Sequence, residues 1–283
     1  MYKSKKLALV FGMIIFAVLL GSLAGCDASL EQEPTYRVEV CTLGGLPVEH
    51  VAVQVFGENP EIPVATASTN KDGIASFRLE EGAYTVRLQN LPAGHHAEGE
   101  YRLTESTLKI SLETRLLTGS DRNQITTLGA GDVMFDLDVT LPTGEKLNLA
   151  QVLSEKKLVV LNFWFANCGY CTLEFPAIKQ AYLEYAQDVE VLALSPYDSP
   201  EVIKQYQGRH SLPFPMASCH ASWPMAFGIS GYPTTILIDR YGMICAVHTG
   251  AVPDAAVWAN AFAYCTADDY TQRLFDSLQD VGL

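Results

Sequence analysis

Two cysteines, Cys168 and Cys171, close the stretch Asn162-Phe163-Trp164-Phe165-Ala166-Asn167-Cys168-Gly169-Tyr170-Cys171. The C-x-x-C spacing suits thiol–disulfide exchange, in which one thiolate attacks a disulfide and a second thiol releases the mixed disulfide. An inert buried bridge or half of a zinc site are the competing readings. Zinc would need two further ligands, and Cys219-His220 lacks the usual gap between ligands. No metal is therefore expected. Glu174 follows Cys171 by three residues, so the two share a helical face, and a base is useful where Cys171 must lose a proton. The bland alternative is a first-turn acid favoured by the helix dipole.

These residues need a strand and a helix to hold them. Leu158 to Phe165 is an apolar run that reads as a buried central strand, with Trp164 in the core. Leu173, Phe175, Ile178, Tyr182 and Tyr185 then recur at helical spacing. The pair thus sits at a strand-to-helix junction, with Cys168 at the helix N-terminus. Unpaired N–H groups and the macrodipole favour a thiolate there. Cys168 is accordingly the attacking thiol and Cys171, one turn further in, the resolving one. Asn167 and Tyr170 flank the nucleophile, Gly169 loosens the helix start, and Pro176 should bend the helix.

Asn-Phe-Trp-x-x-x-Cys-x-x-Cys followed by Glu174-Phe175-Pro176 resembles the membrane-tethered TlpA/ResA-like thiol–disulfide oxidoreductases of the thioredoxin superfamily. The resemblance runs from about Gly131 to the C-terminus. It implies a C-terminal α/β thioredoxin-like fold and a redox-active Cys168–Cys171 disulfide that needs no cofactor. It also implies an active-site role for Glu174. Gly231-Tyr232-Pro233-Thr234 matches the family's cis-proline loop, so Tyr232, Pro233 and Tyr170 are implied to meet the substrate. Thioredoxins carry a buried Asp on the motif strand, and here that position is Asn162, which cannot take a proton. Two departures stand out. Asn167 replaces the family's usual Trp, and Cys-Gly-Tyr-Cys is similar to the bacterial periplasmic disulfide isomerases. The implied partners are exported protein thiols and disulfides and a membrane electron donor. The leading reading is a reductant, against an isomerase or oxidant using the same site, or a non-enzymatic binding module. A peroxidase fits poorly, because no Thr-x-x-Cys pattern precedes the motif.

The 283 residues allow two ordinary domains. A formal net charge of −13 should repel nucleic acid and anionic lipid headgroups, so no nucleic-acid partner is expected. Residues 1–25 combine Lys3, Lys5 and Lys6 with an apolar stretch from Leu7 to Leu20, which reads as a targeting segment outside the fold. Leu23-Ala24-Gly25-Cys26 resembles the lipobox of bacterial lipoprotein signals, which implies that Cys26 is lipidated and holds the chain on the outer side of the cell membrane. An uncleaved anchor is the alternative. Residues 26–34 form an acidic tether.

From 35 to 117 short strands alternate with turns such as Asn70-Lys71-Asp72-Gly73, and no helical stretch intervenes. The expectation is an N-terminal all-β sandwich. Its turn spacing resembles the Cna B-type, prealbumin-like domains of bacterial surface proteins, without the Lys and Asn of their isopeptide cross-link. His95-His96 reads as a solvated turn. Residues 118–130 are the linker, and 131–283, with alternating strands and helices, should fold on its own. Val133, Phe135, Leu137 and Val139 alternate like a strand. Cys41, Cys219, Cys245 and Cys265 are left over; they allow three pairings or stay as unpaired thiols.

Overall fold

The computed structural model describes residues 35–118 and 128–267. The targeting segment, the tether with Cys26, and most of the linker lie outside the described residues.

The first region is built of eight strands in two four-stranded sheets. One sheet has the order β4-β1-β8-β6, comprising Ile74–Arg78, Thr35–Thr42, Thr107–Thr114 and His95–His96. The other has the order β3-β2-β5-β7, comprising Ala65–Ser68, Ala52–Phe56, Tyr84–Gln89 and Tyr101–Leu103. Alternation decides which side chains meet: Val38, Val40, Ile110 and Leu112 of one sheet share a core with Val53, Val55, Val86 and Leu103 of the other. β1 and β8 run parallel, and the remaining pairings are antiparallel. At the β3–β4 turn, Asn70 Oδ1 accepts from the N–H groups of Asp72 and Ile74, and Gly73 takes a positive φ of 72°. His95 departs from the expected solvated turn. It pairs with Thr114 in the ladder and is only 6% exposed, because the loop folds back onto the sheet edge.

The second region opens with a short hairpin, β9 (Asp138–Thr140) and β10 (Lys146–Asn148), and α1 (Leu149–Glu155). A five-stranded sheet of order β13-β12-β11-β14-β15 follows, comprising Met216–Ser218, Val189–Ser195, Leu158–Phe163, Thr234–Asp239 and Ile244–Thr249. β11, β12 and β13 are parallel; β14 and β15 are antiparallel additions. Every residue of β11 is buried, as a central strand covered on both faces requires. Leu158, Val160 and Trp164 face a layer made by α2 (Gly169–Tyr185), α3 (Pro200–His210) and α5 (Ala255–Thr266). Val159, Leu161 and Phe163 face the hairpin, α1 and the segment after α4 (Trp223–Ala226).

That second face does not stop at the linker. Leu46 and Leu117 of the β-sandwich belong to the same core as Val133, Met134, Phe135 and Leu161, with Ala93 and Leu116 packed against it. Thr114 Oγ1 donates to the Tyr241 carbonyl at 2.6 Å. The alternating stretch from Val133 is not a long strand, since only its end, Asp138–Thr140, pairs as one. Its earlier backbone is spent on stitching: Leu117 N–H donates to Met134 O, Asp136 N–H to Leu117 O, and Met134 N–H to Gly242 O. The sandwich thus keeps a core of its own, and the layer on this face of the sheet takes Leu46 and Leu117 from it as well. Among the described residues, no helix is long and apolar enough to cross a membrane.

Candidate active site

β11 ends at Phe163, and α2 begins at Gly169 with Cys168 as its N-cap. Cys168 Sγ accepts from the Cys171 N–H at 3.1 Å, in the place where a capping oxygen usually sits. The two cysteines are joined in a disulfide with a Cα–Cα distance of 5.3 Å. Both are buried, Cys168 less completely than Cys171. Between them Tyr170 is 68% exposed. Asp198, just beyond the end of β12, pins the loop before the pair. Its Oδ2 accepts from the Ala166 N–H and from Ser195 Oγ, each at 2.7 Å. Thr172 Oγ1 lies 2.9 Å from the Tyr206 hydroxyl, tying the first turn of α2 to α3. Trp164 sits in the core against Phe175 and Tyr206.

Glu174 is fully buried. Its Oε1 accepts from Asn162 Nδ2 at 2.8 Å and its Oε2 from the Val252 N–H at 3.3 Å. Asn162 Nδ2 also donates to Thr235 Oγ1 at 2.9 Å. Burial pushes the Glu174 carboxyl up to about 7, against the opposing pull of those two donors. A carboxyl poised there is equally able to hold and to release a proton near neutrality.

The Tyr232–Pro233 peptide bond is cis. Pro233 precedes β14, whose first residue Thr234 pairs with Phe163, so the proline loop and the cysteines lie at the same end of adjacent strands. The Tyr232 ring packs edge-on against Phe165 at 5.5 Å and meets Tyr197 at 5.7 Å. The Tyr232 hydroxyl donates to that of Tyr197 at 3.3 Å, and burial with this contact pushes its proton affinity up. Cys168, Cys171, Glu174, Tyr232 and Pro233 are thus all brought to one end of the sheet or the helix that caps it. Asp198, Tyr197, Thr235 and Val252 are additions that no local motif announces. Phe165 and Tyr197 could be suspected only as aromatics beside strand ends.

Cys41, Cys219, Cys245 and Cys265 form no disulfide. Burial pushes the half-buried Cys219 thiol up to about 12, which leaves it unreactive near neutrality. Among the described residues, no group of three or more His, Cys, Asp or Glu is gathered as a metal site.

Residues 130–247 match the AhpC/TSA family. The C-terminal region has a thioredoxin-like fold. The chain is 35% identical over 116 residues to thiol-disulfide oxidoreductase ResA of Halalkalibacterium halodurans, a match covering 40% of this chain and 65% of that relative. It is 29% identical over 120 residues to thioredoxin-like protein YneN of Bacillus subtilis, covering 41% and 69%. Among solved structures, a putative thiol:disulfide interchange protein DsbE from Chlorobium tepidum is 26% identical. That alignment covers 50% of this chain and all of the other, with a TM-score of 0.45. None of these three matches extends over the whole of this chain.

Proposed function

We propose that this chain is an exported thiol–disulfide oxidoreductase that reduces disulfides of other exported proteins through Cys168 and Cys171. The observation that carries the reading is the disulfide at the N-terminus of α2 with a fully buried carboxyl, Glu174, one turn further along. The relatives' names, thiol-disulfide oxidoreductase among them, point the same way.

In the reduced chain the Cys168 thiolate attacks a substrate disulfide. A Cys168–substrate disulfide forms, and one substrate sulfur leaves as thiolate. The Glu174 carboxylate takes the proton of Cys171. The Cys171 thiolate then attacks Cys168 Sγ, the internal disulfide forms, and the second substrate sulfur leaves. Two electrons pass to the substrate, and the two leaving thiolates collect protons from Glu174 and solvent. Tyr232 offers its backbone beside Pro233 to an extended substrate segment, and Tyr170 reaches out beside the nucleophile. The cycle uses no cofactor beyond the disulfide. An exported C-x-x-C drifts to its oxidised form unless it is reduced again, so the cycle requires a membrane electron donor.

In the same reading Cys26 is lipidated and holds the chain at the membrane's outer face, with residues 26–34 as tether. Residues 35–117 are a prealbumin-like module, and 131–283 carry the chemistry. A second direction of transfer, as isomerase or oxidant, draws on the Cys-Gly-Tyr-Cys motif, with Gly169 and Tyr170 between the cysteines. A motif dipeptide without proline leaves the helix start less rigid.

The test is trapping. Cys171→Ala should accumulate mixed disulfides on non-reducing gels, and Cys168→Ala should accumulate none. No trapping by either variant would reject the oxidoreductase reading in favour of a binding module. Equilibration of the wild-type pair against glutathione separates reductant from oxidant.

A further inference from the structure

Glu174 lies where four segments meet. Its own helix contributes Cys171, three residues earlier. β11 contributes Asn162, and β14 contributes Thr235, its ladder partner. The turn before α5 contributes the Val252 N–H. α5 lies in the same core layer with Trp258 and Cys265 buried, and Asp254 at its start has Oδ1 engaged by the Ala256 N–H. No charged side chain sets the proton affinity of Glu174. Burial raises it, and the Asn162 and Val252 donors lower it.

The Asn162 amide makes an uneven bargain. Its Nδ2 donates both to Glu174 Oε1 and to Thr235 Oγ1. Its Oδ1 is buried without a partner among the described residues. An orphaned buried acceptor is destabilising, and an apolar residue of similar volume would remove that cost from a strand that is otherwise wholly apolar. Turning the amide over would set Oδ1 against the carboxylate, acceptor against acceptor. The carboxylate therefore dictates the amide's orientation, and the amide holds the carboxylate.

We propose that Asn162 is the positioning residue for Glu174: its Nδ2–H groups, braced on Thr235, clamp the carboxylate and hold it in place to receive the Cys171 proton. The proton step moves one hydrogen from Cys171 Sγ to a Glu174 oxygen and no electrons. Only that last step rests on the oxidoreductase reading. The clamp itself is independent of it.

The experiment follows the Glu174 carboxyl by carbon-13 NMR across pH in the oxidised full chain. Asn162→Leu keeps the volume and removes the donors, and should raise the titration midpoint by about one unit or more. Thr235→Val, which removes the brace, should raise it less and serves if Asn162→Leu fails to fold. Asn162→Asp sets two carboxyls side by side, and the pair should titrate in two steps on either side of the wild-type midpoint. The pH midpoint for release of mixed disulfides should move with the carboxyl in Asn162→Leu and stay still when the same change is made in a Glu174→Gln background. A purely structural role would move neither. An unchanged Glu174 midpoint in the folded variants overturns the proposal while leaving the oxidoreductase reading intact. A chain that never exchanges disulfides sinks that reading, and the carboxyl titration still decides the clamp.

Discussion

The two faces of the central sheet differ in what they bury. On one, Val160 and Asn162 of β11 and Trp164 just after it turn toward α2, α3 and α5, and this layer contains the disulfide and Glu174. On the other, Val159, Leu161 and Phe163 meet an apolar cluster that reaches Leu46 and Leu117 of the β-sandwich. One strand, alternating in and out, serves both. The chemical face keeps a buried acid, a buried amide and an orphaned acceptor, each of which costs stability. The apolar face buries mostly hydrocarbon, and the hydroxyl of Thr234, opposite Phe163, is partnered by Gly231 O and Thr249 Oγ1. The β-sandwich is thereby anchored to the face opposite the candidate site.

The largest effects should come from the chemical face. Cys168→Ala should abolish exchange and Cys171→Ala should arrest it at the mixed disulfide. Neither should lower the unfolding free energy of the reduced protein by more than about 1 kcal/mol, since a buried thiol is a small apolar group. Denaturant melts beside the trapping gels check both halves. The apolar face should behave in the opposite way. Leu117→Ala leaves a cavity in the shared core and should cost about 2–5 kcal/mol, with the redox equilibrium of the pair unchanged. A fragment beginning at residue 131 should lose cooperative unfolding altogether. Full stability in that fragment would show that the sandwich merely rests on the sheet.

The chemical face was largely legible in the sequence and the apolar face was not. Cys168, Cys171 and Glu174 lie within seven positions of one another, and helical periodicity alone puts them on one turn and a half. The period-two patterns of Val51-Val53-Val55 and Leu108-Ile110-Leu112 gave the sheets of the sandwich. The shared core has no such local signal. Leu46, Leu117 and Val133 are ordinary apolar residues in loops, and their meeting depends on how distant segments are stitched by backbone bonds. Val133 to Leu137 even carries a strand's alternation while its backbone bonds run to Leu117 and Gly242. The loop at His95 similarly reads as polar, and only the neighbouring β8 edge buries it. Asn162 was visible as a non-acid at an acid's position, but its clamp on Glu174 needs Thr235, 73 residues away.

Stability against pH sharpens the contrast next. The Glu174 carboxyl titrates at about 7 in the folded chain, above its ordinary 4.5. The folded state therefore holds this proton more tightly than the unfolded state does. Its contribution is fully present below about pH 4.5 and is lost as pH rises through 7, a change of roughly 3 kcal/mol. Unfolding free energies measured at pH 5 and pH 8 should differ in that direction, and Glu174→Gln should flatten the difference. Leu117→Ala should lower both values equally and keep the slope. A slope that survives Glu174→Gln would place the titrating group elsewhere.

The smallest effect should come from the rim where the chemical face meets solvent. Tyr197 is 66% exposed, yet its ring meets both Phe165 and Tyr232, and its hydroxyl accepts from that of Tyr232. An exposed hydrogen bond between neutral hydroxyls contributes little, because water replaces it readily. Tyr197→Phe should therefore change stability by less than about 0.5 kcal/mol, as surface substitutions usually do. Tyr197→Ala removes the ring as well, and an aromatic pair contributes about 0.5–1.5 kcal/mol, so the loss should rise to about 1 kcal/mol. The rings of Phe165, in the loop before Cys168, and of Tyr232, in the proline loop, meet edge-on. Losing the third ring should then weaken capture of a peptide disulfide, raising KM several-fold, while the rate with a small disulfide such as oxidised glutathione stays the same. The ratio of the two substrates in Tyr197→Phe and Tyr197→Ala is the measurement. Equal losses on both substrates would mean that the ring supports the Phe165 loop and Cys168 itself, and that the rim belongs to the chemical face's scaffold instead of its binding surface.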